Sequence, residues 1–211
     1  MDIKVNKVTK QFGDNGLQEV DFNINEGDYI CITGESGCGK STLLNIISGM
    51  LKPDSGEIII DGKNIFNELK ESTRTKLRSS VLGYMTQSAS LIPDLTIWQN
   101  IICPIELQGT KVNENKVNEI FEQLGIENIK ASYPGQISGG EYRRALLARV
   151  LVLDTEVFLV DEPTSNLDEK SAIIVRDTLN KLHKENNKTL VVVTHDKEFL
   201  RYTDNIVNLA H

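Results

Sequence analysis

The sequence predicts an α/β fold: a buried, largely parallel sheet, an antiparallel β unit ahead of it, and a helical subdomain inserted within it. Three observations carry this. The short apolar runs Tyr29–Thr33, Val157–Val160 and Thr189–Thr194 have the texture of buried strands. Asp2–Val8 and Glu19–Ile24 instead alternate apolar with polar, as half-buried strands do. From about Ser88 the strand signals give way to helical ones. The expected organisation is a single domain over 1–211, its core formed by about 1–87 and 156–211, its helical subdomain by about 88–155.

Each element has a local reason. Gly13–Gly16 is a turn between the two alternating segments. Ser41–Met50 reads as a helix following the first buried strand, and Lys52–Gly56 breaks the chain. Glu57–Ile60 then meets Asp61-Gly62, a hairpin signal. Val81–Thr86 is a further strand, ending at Gln87. Val117, Ile120, Phe121 and Leu124 share one helical face, and Gly125 terminates that helix. Ser138-Gly-Gly-Glu141 has the form of a capping box opening a helix through Leu151. A long helix covers roughly Glu169–Glu185, and Ile206–Leu209 is a last strand.

Bulk properties narrow the function classes. The 211 residues suffice for one well-buried core. No apolar run approaches the ~20 residues that span a bilayer, and Met1-Asp-Ile-Lys4 does not open a signal peptide. A net charge of −7 disfavours nucleic acid as the main ligand, because phosphate backbones are gripped by clustered Lys and Arg. Cys31, Cys38 and Cys103 are odd in number and lack metal spacing, so a reducing cytosol is expected.

The chemistry concentrates at Gly34-Glu35-Ser36-Gly37-Cys38-Gly39-Lys40-Ser41-Thr42, between a strand and a helix. This is the spacing of a phosphate-binding loop. Its glycines let successive N–H groups turn towards one anion, and the helix N-terminus adds to that field. Lys40 is placed for the β- and γ-phosphates of a nucleotide, and the Ser41 hydroxyl for Mg²⁺. Asp161 and Glu162 end the apolar strand Val157–Val160, where a carboxylate can hold Mg²⁺ and its neighbour can deprotonate a water. His195, just past Thr189–Thr194, is expected at the same sheet edge and in reach of a γ-phosphate; a surface histidine is the bland alternative.

Other residues stay open on sequence alone. Cys38 is either a thiol activated beside Lys40 or a filler in the loop. Cys31 reads as strand core and Cys103 as helical core. His183 and His211 have no nameable partner and read as solvent-facing. Trp98, in Leu91–Trp98, is either core or part of a docking groove.

Taken in order, these segments resemble the ATP-binding-cassette (ABC) ATPases over essentially the whole chain. The motifs are the phosphate loop, Gln87, Ile137-Ser-Gly-Gly-Glu141, Val157–Glu162, Ser165-Asn-Leu-Asp168 and His195. The resemblance implies a P-loop NTPase (RecA-like) core, ATP and Mg²⁺ as cofactors, and Glu162, His195 and Gln87 as catalytic residues. Ser41, Gln87 and Asp161 would serve the metal. Ser138, Gly139, Gly140, Glu141 and Asp168 would serve nucleotide across a head-to-tail dimer with a second copy. Phe12 falls where the family stacks a tyrosine on adenine. The signature departs from the family at Ile137, for leucine, and at Tyr142-Arg143, where glutamines are common.

The compact length and Leu91–Thr96 resemble the branch of lipoprotein-releasing, macrolide-export, antimicrobial-peptide-export and cell-division ATPases. This implies a peripheral position on the inner face of the membrane, with a separate transmembrane permease docking near Gln87 and Leu91–Trp98. A soluble cassette ATPase of iron–sulfur assembly is the alternative. A phosphate-loop kinase would lack Ser138-Gly-Gly.

Overall fold

The structure, a computed structural model, describes residues 1–13, 15–203 and 205–209. The chain runs β1 (Ile3–Phe12), β2 (Asn15–Ile24), β3 (Tyr29–Gly34), α1 (Lys40–Ile47), β4 (Ser55–Ile60), β5 (Lys63–Asn64), α2 (Glu71–Ser80) and β6 (Leu82–Met85). It continues through α3 (Ile97–Leu107), α4 (Glu114–Gln123), α5 (Gly139–Leu151), β7 (Val157–Asp161), α6 (Glu169–Asn186), β8 (Thr189–Val193) and β9 (Asn205–Leu209), with short 3₁₀ turns between some of them.

Two sheets result. The parallel sheet has the order β6-β7-β8-β3-β9, and the antiparallel sheet the order β2-β1-β4-β5. Period-two alternation sends each central strand's side chains to two cores. Cys31, Phe158, Val160, Leu190 and Val192 pack with the helices α3, α4 and α5. Ile30, Ile32, Val157, Leu159, Val191 and Val193 pack with α1 and the antiparallel sheet. The parallel sheet is thus sandwiched, which is why its strands are continuously apolar. The Asp61-Gly62 turn has positive φ at both residues, 47° and 79°, and closes the β4–β5 hairpin at Ile60↔Lys63. That hairpin joins the N-terminal sheet, with β4 pairing to β1 on the side opposite β2.

Helix caps follow the sequence. Asn113 caps α4, and Val117, Ile120 and Phe121 are its buried residues. Gly125, at φ 60°, turns the chain away. Ser138 and Glu141 form the complete capping box of α5. A second box, Thr96 with Gln99, opens α3.

Several expectations are corrected. Helix α2 is an element with no sequence expectation behind it: it buries no residue completely and shows no apolar stripe, and Glu71 pairs with Arg74 and Arg78 along it. Cys103 is half-buried rather than core. His183 is not solvent-facing: it is half-buried, its Nδ1 lies 3.1 Å from the Lys188 carbonyl, and its ring meets Tyr29 edge-on at 5.3 Å. His211 lies outside the described residues. Trp98 is half-buried: it stacks on Phe121 at 5.7 Å and packs against the edge of the helical cluster. Leu91 and Ile97 are buried beside it, leaving Ile92 as the exposed large apolar side chain of that stretch.

Candidate active site

Strands β3, β8 and β7 are adjacent and parallel, so their carboxyl ends share one edge of the sheet. The phosphate loop leaves β3 there, Asp161 closes β7, and His195 follows β8. A cavity of about 630 Å³ opens at that edge. Its wall combines Ser36, Gly37, Gly39, Lys40, Ser41 and Thr42 with Gln87, Asp161, Glu162 and His195. Ten of the residues singled out from sequence therefore meet in one place.

The loop has the backbone that its glycines allow. Gly37 and Gly39 have φ of 88° and 98°, and α1 begins at Lys40. Lys40 Nζ donates to the Gly34 and Glu35 carbonyls at 2.8 and 2.7 Å, so the ammonium closes over the start of the loop. Cys38 is 1% exposed, with its Sγ turned inward, 3.9 Å from Lys40 Nζ. A Cβ on Gly34 would stand 2.7 Å from that sulfur and 2.6 Å from the Leu209 carbonyl. The thiol therefore lies beneath the loop rather than under the phosphates. Gly34, Glu35 and Cys38 support the cavity without lining it.

Glu162 has a φ of 49°, a left-handed conformation that a side chain resists. Its N–H donates to the Val193 carbonyl at 2.8 Å, which ties the strained residue to the end of β8. Its Oε1 accepts no hydrogen bond, although His195 Nε2 is 3.3 Å away. The His195 N–H donates to Oε2 at 3.4 Å. Burial pushes the Glu162 carboxyl above the usual carboxylate range and Asp161 adds to the shift, while His195 opposes it. Burial likewise raises Asp161, against the Ser41 hydroxyl, the Arg143 charge and the Gln87 N–H.

The site suits Mg²⁺ by its donor chemistry. Asp161 Oδ1 is buried without a hydrogen-bond partner, beside the Ser41 hydroxyl and the exposed Gln87. These are hard oxygen donors, and few enough for an ion that keeps waters and takes phosphate oxygens. Among the described residues, no group of three or more His, Cys, Asp and Glu side chains is arranged to hold a metal alone.

Other predicted site residues lie outside the cavity. Phe12, at the end of β1, is 54% exposed. Ser138, Gly139 and Gly140 stand at the N-terminus of α5, and the Glu141 carboxylate is committed to the Ser138 hydroxyl and N–H at 2.7 and 2.8 Å. Asp168 caps α6 by accepting from Ser171. Conversely, Thr164, Ser165, Asn166 and Asp196 line the cavity without having been selected as site residues. Ser165 and Asn166 carried a signal as part of the Ser165–Asp168 motif, whereas that of Thr164 and Asp196 is positional, close to Glu162 and His195.

Residues 17–165 match the sequence profile of the family described as ABC transporter. The chain belongs to the ABC transporter ATPases. It is 41% identical over 195 residues to the lipoprotein-releasing system ATP-binding protein LolD of Legionella pneumophila (strain Paris), covering 92% of this chain and 86% of that one. To the ABC transporter ATP-binding protein YtrE of Bacillus subtilis (strain 168) it is 40% identical over 186 residues, covering 86% and 79%. The dimeric structure of MJ0796, a bacterial ABC transporter cassette, superposes with a TM-score of 0.89 at 36% identity, covering 98% of this chain and 94% of that one. The same cassette, bound to ADP and Pi in a post-hydrolysis state, gives 0.88. As an ABC ATPase the chain is an enzyme that binds and hydrolyses ATP. Among its described residues, no helix is long and apolar enough to cross a membrane.

Proposed function

We propose that this ABC ATPase powers a membrane exporter or force-transmitting complex, of the lipoprotein-, peptide- or drug-export kind, as a head-to-tail dimer that sandwiches ATP. The observation that carries the mechanism is Glu162 Oε1, a buried carboxylate oxygen that accepts no hydrogen bond and lies 3.3 Å from His195 Nε2, in the wall of the cavity that holds the phosphate loop. It is free to accept a proton from water. Lys40 and the loop N–H groups hold the β- and γ-phosphates, and His195 orders the γ-phosphate from the far wall. Ser41, Asp161 and Gln87 would hold Mg²⁺, which would supply charge neutralisation on the phosphates. Phosphoryl transfer needs little beyond such positioning and charge. Phe12 stacks on adenine, and its exposure leaves the ring available. Ser138-Gly-Gly, presented at a helix N-terminus, and Asp168 complete the nucleotide site of the second copy.

The membrane subunit docks beside Gln87. An apolar groove of about 320 Å³ includes Thr86 and Ala89, which flank Gln87, together with Met50, Tyr84, Met85 and Pro104. Met50 is 61% exposed at its rim. Leu91–Trp98 buries only Leu91 and Ile97, and none of its residues lines this groove. In this reading the chain lies peripherally on the inner face of the membrane.

Glu162→Gln tests the reading. The amide holds water but cannot take its proton, so single-turnover hydrolysis should fall about 10²–10⁴-fold. ATP binding should persist and the variant should become a stable dimer with ATP. Hydrolysis at the parental rate would sink the catalytic assignment; tight ATP binding without dimerisation would count against the sandwich.

A further inference from the structure

Strand β6 ends at Met85 opposite Val160, so β7 has no strand neighbour on that side beyond Val160. The segment that follows holds Asp161, the strained Glu162 and Pro163. The Arg143 guanidinium, from the first turns of α5, occupies that position. Nη2 donates to the Asp161 and Glu162 carbonyls at 2.8 and 2.6 Å, and Nε to the Pro163 carbonyl at 3.4 Å. Nη1 reaches the Gln87 carbonyl at 3.5 Å. One planar cation thus joins the strand end that carries both carboxylates to the loop that carries Gln87.

Neighbouring side chains of α5 hold the continuation of that loop. Tyr142 Oη accepts from the Leu91 N–H at 2.8 Å, and Arg149 Nη1 donates to the Ser90 carbonyl at 2.8 Å. The same helix begins with Ser138, Gly139 and Gly140. Tilting α5 would therefore drag the Gln87 loop and pull on the Asp161–Pro163 backbone together. Arg143 does not line the cavity, so it acts on the site through the main chain it binds and through its charge beside the carboxylates.

We propose that Arg143 is a positioning residue for ATP hydrolysis, which sets the placement of Asp161 and Glu162 according to the orientation of helix α5. The inference rests on the reading of Glu162 as the base. A glutamine at 143 could serve only part of this set of carbonyls. A lysine keeps the charge but concentrates its donors at one point rather than in a planar fork.

The test compares Arg143→Lys, Arg143→Gln and Glu162→Gln with the parental chain. ATP binding is measured by calorimetry and cleavage of ATP·Mg²⁺ by single turnover at high protein concentration. Displacing a catalytic group by about 1 Å costs on the order of 10²-fold. Arg143→Gln should lose roughly 10–100-fold in the cleavage rate, with ATP affinity and bound nucleotide per chain unchanged, and Arg143→Lys should lie between it and the parent. A parental cleavage rate in Arg143→Gln would overturn the proposal. So would a rate that falls only in proportion to the nucleotide bound, since that reports lost fold. If Glu162→Gln cleaves ATP at the parental rate, the base assignment fails whatever the Arg143 variants do. If Glu162→Gln is inactive and Arg143→Gln is not, only the Arg143 proposal fails.

Discussion

His195 meets Glu162 twice: its ring Nε2 is 3.3 Å from Oε1, and its backbone N–H donates to Oε2 at 3.4 Å. The ends of β7 and β8 are therefore joined through one carboxylate, and the strained φ of Glu162 brings the two side chains together.

This contact has a pH consequence. Burial raises Glu162, with Asp161 adding and His195 opposing, and burial raises Asp161 too. A base must be deprotonated, so a raised pKa moves the loss of activity to higher pH. The acid limb of the single-turnover rate should lie above the ordinary glutamate value of about 4.3, and it belongs to the carboxylate pair rather than to either member. Removing the imidazole in His195→Ala should push that limb further up. A parental limb at or below the ordinary value would show that these carboxylates do not control the rate.

What the sequence revealed depended on whether a residue's partner was local. Tyr29–Thr33 and Val157–Val160 were legible because burial on both faces leaves a continuous apolar run, and Ser138–Glu141 because a capping box closes within one turn. The site at the shared sheet edge followed from strand-end position alone. Helix α2 was not legible, since Glu71 with Arg74 and Arg78 replaces an apolar stripe. Arg143 was visible only as a departure from a family pattern, because its partners are main-chain carbonyls at 87 and 161–163. Trp98 stayed ambiguous until Phe121, from another helix, was seen to cover it.

Cys38 should be slow to alkylate. Its thiol is 1% exposed beneath the phosphate loop, whereas Cys103 is half-buried on α3. Reaction at Cys38 requires the loop to open, so mass spectrometry should find it modified roughly tenfold or more slowly than Cys103. Bound ATP should slow it further, and the modified chain should no longer bind ATP. Equal rates at the two cysteines would contradict the inward-facing thiol.

The docking groove is separable from the stretch beside it. Met50 and Ile92 are both exposed, at 61% and 44%, but only Met50 lines the groove. A charge at either position should cost little stability, within about 0.5 kcal/mol. Met50→Asp should shift the chain from the membrane fraction of its host to the supernatant and leave ATP binding intact. Ile92→Asp should not. The opposite pattern would return the docking surface to Leu91–Trp98.

An ion network built on the buried Arg176 holds the far wall of the cavity. Arg176, 7% exposed, donates to Asp196 Oδ2 at 2.7 Å and to Glu169 Oε1 at 2.5 Å; the Thr164 hydroxyl donates to Asp196 at 3.1 Å. Burial alone would raise the Asp196 carboxyl, but Arg176, the Glu198 N–H and Thr164 outweigh it and hold it below the ordinary range. A depressed carboxylate stabilises the fold above its unfolded pKa of about 3.9, and that contribution is lost as pH falls through the lower folded value. Arg176→Met removes the cation and leaves the half-buried Asp196 poorly paired. The expected cost is about 2 kcal/mol at pH 7, seen as a drop of roughly 4–8 °C in Tm for a chain of this size. Acid should shrink the difference, because a protonated Asp196 no longer needs the cation. Melting curves of both proteins at neutral pH and below about pH 3, under the ordinary carboxylate range, check this. A gap that stays constant across that range would mean that Arg176 stabilises by packing its stem rather than by pairing with Asp196.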